Sequence, residues 1–386
     1  MRLYQHVHRH PFMQSRNTVM MFAKSVVGKL VPLKLRSKLR EQHVSMNITH
    51  LYGPRAVQLS KDEAAVICVL RNGEYYIDSF IEHYSKLGFR HFFFLDNGSS
   101  DETLSLIRNY HNVSVWKSTL PINSNQRLFK KYLAERSIRG GWCLDADIDE
   151  FFDFPFSDVI NLQQFLAYLN QGRYTALITQ LLDMFSDSSL SCLTNERKED
   201  VKAVYRYYDI SNITRTDYRT SAVTVKYGDA NELADKETAL YWGGIRKTLY
   251  GNNCLLTKHS LFFPEAGIDL FPHIHFVNKA RVADVSGVML HYKLTSNAMA
   301  VARQNQNNFT ENSKTYAAFI SALEKDSNRK IRQDTGQKFI SATDLAKRKF
   351  LLMSSIYEEY ATAGKLSNLS ECLSTNGSSR WPTFKA

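Results

Sequence analysis

Apolar and polar positions change period in a regular way over residues 64–152. Ala64–Leu70 is an unbroken apolar run of strand length, which predicts a strand covered on both faces. Ile77, Phe80, Ile81, Tyr84 and Leu87 then recur at helical spacing and predict a helix over 74–87, closed by Gly88 as a left-handed cap residue. His91–Leu95 reads as a second strand, followed by the turn Asp96–Thr103 and an N-capped helix. Val113–Trp116 is a third strand, 124–138 a third helix and Trp142–Asp145 a fourth strand. Strands and helices taken in this order predict an α/β fold with a mainly parallel, doubly wound sheet and right-handed crossovers.

Beyond residue 152 the periodicity loosens. Residues 158–170 read as helix, 175–182 as strand and 183–260 as mixed, with turns at Gly243-Gly244 and Gly251–Asn253. Ala283–Tyr292 reads as a strand carrying His291 near its end. Residues 296–323 and 339–363 have helical, polar-faced patterns, and the Ser/Thr/Asn-rich tail from Asn368 is expected to fray. The expected division is a leader over 1–50, a main domain over 60–295 and a helical extension over 296–386.

Composition adds limits. The chain has 386 residues, 44% hydrophobic and 23% charged, ordinary values for a globular protein with a full core. Its five cysteines are widely spaced without a CxxC pair, so neither a zinc knuckle nor a disulfide framework is indicated. Cys68 and Cys143 lie inside apolar runs, and a reducing cytoplasmic setting is the expectation.

The net charge of +11 is uneven: residues 1–50 hold nine Lys/Arg against Glu41, a net +8, which leaves +3 for the rest. Lys24 and Lys29 interrupt the apolar part of this leader, which falls short of the roughly 20 apolar residues that cross a bilayer. Two readings of residues 1–45 stay open: a segment resting peripherally on an anionic membrane surface, on its inner face, or a poorly ordered basic tail. Basic residues are not interleaved with aromatics, so no nucleic-acid partner is expected.

The candidate chemistry lies at the predicted strand ends. Asp145, Asp147, Asp149 and Glu150 crowd into six residues, and the three aspartates share a face if the strand runs on that far. Such carboxylates need a cation or donors; an oxygen-only set suits Mg²⁺ or Mn²⁺, and a solvated acidic turn is the other reading. Arg71–Glu74 and Asp96–Asp101 end the neighbouring strands, where open parallel sheets bind ligands.

These pieces carry a resemblance. Ile67–Ile77, His83–Gly88, Phe94–Asp101 and Trp142–Phe152 resemble the family 2-like glycosyltransferases, closest to a subgroup with a DNGSxD turn and a DxDEF metal motif. Leu182–Asp187, Trp242–Arg246 and Leu290–Lys293 also look like that subgroup, so the likeness spans roughly residues 64–295. The resemblance implies a GT-A fold, with a nucleotide half over 64–152 and a mixed acceptor half over 153–295. It implies an inverting transfer from a nucleotide-sugar donor to a glycan or lipid-linked acceptor in surface polysaccharide synthesis, with Mn²⁺ or Mg²⁺. The metal residues it implies are Asp147 with Asp149 in one register, or Asp145 with Asp147 in the other, and His291 as a late ligand. Donor contacts fall on Arg71, Asn72, Glu74, Asp96, Asn97, Gln126 and Arg246. For Asp96 and Asn97 the alternative is a turn in which they bond only local backbone.

An inverting transfer needs a carboxylate to take the acceptor's proton. Asp183 and Asp187 follow a predicted buried strand and are the candidates, with Glu265 and Asp269 as others. Two other function classes remain: a sugar-phosphate nucleotidyltransferase with a similar sheet, and a non-catalytic basic protein binding membrane or nucleic acid. A single glycine in Arg71–Glu74 counts against the first.

Overall fold

The computed structural model describes residues 32–189, 201–306, 313–325, 330–332 and 334–364. The chain divides into two compact units, Met1–Asn47 and Ile48–Ala386. The first contains helix α1, Leu33–Met46. The leader's apolar stretch over 19–31 and the tail from Asn368 lie outside the described residues.

The second unit is mixed α/β around a large, mostly parallel sheet, to which the described residues contribute eleven strands. In chain order these are β1 Thr49–Tyr52, β2 Ala64–Leu70, β3 Phe92–Asp96, β4 Val113–Lys117, β5 Trp142–Asp145 and β6 Glu150–Asp153. They continue as β7 Ala176–Asp183, β8 Glu232–Leu233, β9 Thr257–Phe262, β10 Arg281–Val282 and β11 Gly287–His291. Helix α2 is Ile77–Leu87, α3 Thr103–Ile107, α4 Ile122–Ser137, α5 Leu162–Gln171 and α6 Ile245–Tyr250. Two further helices, α7 Ala298–Gln306 and α8 Ser313–Glu324, stand where one helical stretch was expected.

The sheet order is β1-β4-β3-β2-β5-β9-β7-β10-β8, with β11 also on β7 and β6 on β11. Strands β4, β3, β2 and β5 are mutually parallel, as the alternation of periods implies. Every residue of β2 is buried, which is why its sequence is continuously apolar. Helix α2 buries Ile77, Phe80, Ile81 and Tyr84 on one stripe and ends at Gly88, whose φ of 108° is the left-handed cap the sequence pointed to.

Two features depart from the expectation. Strand β9, within the region read as mixed, inserts antiparallel between β5 and β7. And β5 stops at Asp145, so Asp147 and Asp149 stand in a turn rather than on a shared strand face. Cys68 and Cys143 are buried free thiols, and no helix of the described residues is long and apolar enough to cross a membrane.

Buried histidines give the fold an acid-sensitive component. His259 receives or donates to the Tyr218 hydroxyl at 2.9 Å, and His91 pairs with Ser114 Oγ at 2.8 Å. Burial pulls both imidazoles down to about 4. The unfolded chain therefore takes up these protons near 6.5, the folded chain only near 4. Protonation thus favours the unfolded state, and stability is expected to fall as pH drops from about 6.5 to about 4. Urea unfolding at stepped pH checks this; a flat profile over that window, or one unchanged by His259→Gln, contradicts it.

Candidate functional site

The site begins where β2 and β3 end. Asn72 adopts a positive φ of 56°, and its N–H donates to Ser99 Oγ at 2.8 Å while its Oδ1 accepts from the Ser100 N–H at 2.8 Å. Gly73 N–H donates to Thr103 Oγ1, Glu74 N–H donates to Asp101 Oδ2, and Glu74 Oε2 accepts from Glu102 N–H. Two strand-end turns are thus zipped together by side chains accepting from backbone. Asp96 is fully buried, and its two oxygens accept from Gly98 and Ser99 N–H. Asn97 donates to the carbonyls of Ser118 and Leu120. Asp96 therefore bonds the backbone of its own turn, the alternative reading for that residue, whereas Asn97 reaches across to the backbone that follows β4. Glu74 likewise anchors the turn beside α3.

The acidic stretch separates into an inner and an outer part. Asp145, 1% exposed in its side chain, lies between two lysines: Lys130 Nζ at 3.0 Å from α4 and Lys258 Nζ at 3.1 Å from β9. Lys130 also reaches Asp147 Oδ1 at 2.9 Å, and Lys258 reaches Glu150 Oε2 at 2.8 Å. Glu150 Oε2 accepts from the Asp147 N–H as well, which shapes the turn. Burial works against the lysines' charge, but the surrounding carboxylates outweigh it and raise both above the usual range. Asp145 and Glu150 are thus neutralised by the protein itself.

Asp147 and Asp149 face outward, their side chains 37% and 25% exposed. Desolvation would raise the Asp147 carboxyl, yet Lys130 and Lys258 prevail and hold it well below the usual carboxylate range. Sheet register supplies the partner of Asp149. Glu150 of β6 and Asp183 of β7 flank His291 of β11. His291 Nδ1 is 2.6 Å from Asp183 Oδ1, and its Nε2 is 3.4 Å from Asp149 Oδ2. Burial opposes an imidazolium here, but Asp149 and Asp183 prevail and lift His291 to about 9. Arg246 Nε donates to Asp183 Oδ2 at 2.7 Å. Arg246 enters from α6, whose approach needs Gly244 at a φ of 66°.

A cavity of about 240 Å³ opens on this outer part. Arg71, Asp147, Asp149, His291 and Lys293 form its charged wall, and Tyr250, Val301 and Phe319 contribute to an apolar one. Tyr76 donates to the Tyr292 carbonyl at 2.8 Å, tying the turn of Arg71 to the segment of His291 and Lys293. The chain matches no protein-family model and no curated protein.

Of the sequence candidates, Arg71, Asn72, Asp147, Asp149 and His291 line one cavity. Asp145 does not; it is buried beneath, against two ammonium groups. That corrects the register that paired Asp145 with Asp147 at the surface of the site. Asp183 lies behind His291, held by Arg246 and His291, so it is a positioning group rather than a proton acceptor open to an acceptor hydroxyl. Asp187 stands apart from the cavity lining, half-exposed and 3.8 Å from Arg332. Arg246 is also absent from the lining and acts on Asp183; its Nη2 is buried without a partner among the described residues. Gln126 is half-buried on α4 and lies outside the lining.

Sequence reading missed Lys130 and Lys258. A signal existed for each: Lys130 shares a helix face with Leu133, Ala134 and Ser137, and Lys258 alternates with Leu256, Ser260 and Phe262. A lysine on a face otherwise buried calls for an acid opposite it.

The outer residues suit a hard divalent cation. Asp147 and Asp149 offer carboxylate oxygens, but His291, held as an imidazolium between Asp149 and Asp183, has both nitrogens turned to carboxylates and is a positioning group rather than the metal ligand expected from the sequence. Among the described residues no ready group of three His, Cys, Asp or Glu ligands exists. Two carboxylates with the remaining positions left to water and phosphate oxygens are the ligand set Mg²⁺ or Mn²⁺ accepts.

Proposed function

We propose that the chain is a metal-dependent glycosyltransferase of GT-A type that takes a sugar from a nucleotide-sugar donor. The observation that carries this is the pairing of Asp147 and Asp149 with Arg71 and Lys293 around one cavity at the carboxyl ends of parallel strands. The buried lysines neutralise Asp145 and Glu150 inside the protein, whereas Asp147 and Asp149, each paired on one side with Lys130 or His291, are the carboxylates that line the cavity. Carboxylates and cationic side chains lining one pocket of this size suit a diphosphate–cation complex better than a neutral ligand. The mostly parallel sheet with an antiparallel insertion supports the same reading, as does the motif resemblance.

In this reading Asp147 and Asp149 hold Mn²⁺ or Mg²⁺, which when bound offsets negative charge on the departing nucleoside diphosphate. Arg71 and Lys293 meet the outer phosphate oxygens. Asp183 and Arg246 lock the His291 ring, keeping Nε2 toward Asp149. The acceptor is a glycan or a lipid-linked saccharide.

Thermal shift against a panel of nucleotide sugars tests the reading. One donor is expected to raise the melting temperature in the presence of Mn²⁺ and to lose that effect with EDTA, since ligand at about 100 times its Kd stabilises by about 2.7 kcal/mol. Release of nucleoside diphosphate on adding acceptor completes the case. No shift with any donor, or pyrophosphate release from a nucleoside triphosphate and a sugar phosphate, overturns it.

A further inference from the structure

Helix α1 carries an apolar stripe of its own. Leu35, Leu39 and Met46 are 47%, 51% and 79% exposed. At about 100° per residue these three positions fall within about 40° of one another on the helix. Gln42 and then Lys38 border the stripe on one side, and Arg36, Arg40 and His43 lie on the other. Lys34 is exposed as well. Three apolar side chains therefore form a narrow ridge between cationic margins, inside a leader of net charge +8 over residues 1–50.

We infer that α1 lies in the plane of an anionic lipid surface, with Leu35, Leu39 and Met46 between the lipid chains and the flanking lysines and arginines among the headgroups. The geometry favours lipid over other occupants. Long cationic side chains beside a narrow apolar ridge keep their stems in apolar surroundings and their charges in the headgroup layer. A nucleic acid would meet the cations but leave Leu35, Leu39 and Met46 unburied. A second copy would bring two strongly basic segments together. Helix α1 has 14 residues, about 21 Å of length, so it rests on a bilayer and does not span one. The inference is independent of the glycosyltransferase reading.

Flotation of the full chain with vesicles tests it, using phosphatidylcholine alone and phosphatidylcholine containing a quarter phosphatidylglycerol. Binding is expected only to the anionic vesicles. Leu35→Gln with Leu39→Gln, which leaves the charge unchanged, is expected to lower partitioning by about tenfold or more, because the buried apolar contact is lost. Both positions are exposed, so the melting temperature of the variant should match the parent. Raising salt should weaken parent and variant alike while the gap between them persists. Equal binding of parent and variant would mean a charge-only tail and overturn the inference. So would binding to neutral vesicles of equal strength, no binding at all, or retention only by an oligonucleotide irrespective of Leu35 and Leu39.

Discussion

Asp147→Asn is expected to lower sugar transfer by roughly 10²- to 10³-fold, the size of effect seen when one preorganised group serving developing charge is removed. The melting temperature should change little. Asp147 is 37% exposed, and Lys130, its neighbour at 2.9 Å, keeps Asp145 as a counter-charge when Asp147 is neutralised. The defect should appear also as weaker Mn²⁺ binding by calorimetry, a readout that does not depend on turnover. Asp145→Asn offers the contrast. It touches no cavity residue's outer face and leaves Lys130 and Lys258 short of a partner, so it should cost stability before it costs catalysis. Full transfer activity in Asp147→Asn would remove the basis for the proposed function. Loss of Mn²⁺ binding in Asp145→Asn with Asp147→Asn unaffected would restore the other register.

The second large effect concerns the interior. Lys258→Met should destabilise the fold by about 3–5 kcal/mol, because a buried charged pair broken on one side leaves uncompensated charge behind. The geometry is severe: Lys258 is 1% exposed and lies 2.8 Å from Glu150 and 3.1 Å from Asp145. Urea unfolding measures the loss. Adding Glu150→Gln to Lys258→Met should recover part of it, and the double-mutant cycle isolates the coupling. A loss under about 1 kcal/mol would mean that the inner carboxylates do not depend on this ammonium.

The two predictions separate roles that look identical in the sequence. Asp145, Asp147, Asp149 and Glu150 are one acidic run, and nothing local ranks them. What ranks them is the arrival of Lys130 from α4 and Lys258 from β9, residues 15 and 108 positions away from Asp145 and Glu150 respectively. The same holds for Asp183. By sequence it follows a buried strand and could be a base; by register it stands beside His291, and Arg246 closes it off.

Local pattern was enough for the nucleotide-side strands and helices. An unbroken apolar run becomes a strand covered on both faces because nothing else shields seven apolar residues in a row. A helix with apolar positions three and four apart must lay that stripe on the sheet, and Gly88 stops it because glycine bears a φ of 108° without strain. Strand ends and the polar turns on one rim follow from that order of elements. The rest depends on residues far apart in the chain. Strand β9 has no periodicity that fixes its neighbours, and its insertion between β5 and β7 is set by which edges remain to be paired. That insertion, together with Lys130 arriving from α4, decides that Asp145 and Glu150 are neutralised from within. Only the register of β6, β11 and β7 decides that His291 joins Asp149 to Asp183. Periodicity reports which face of an element is buried; it says nothing of which charge will lie opposite, and in a site made of charges that choice assigns the chemistry.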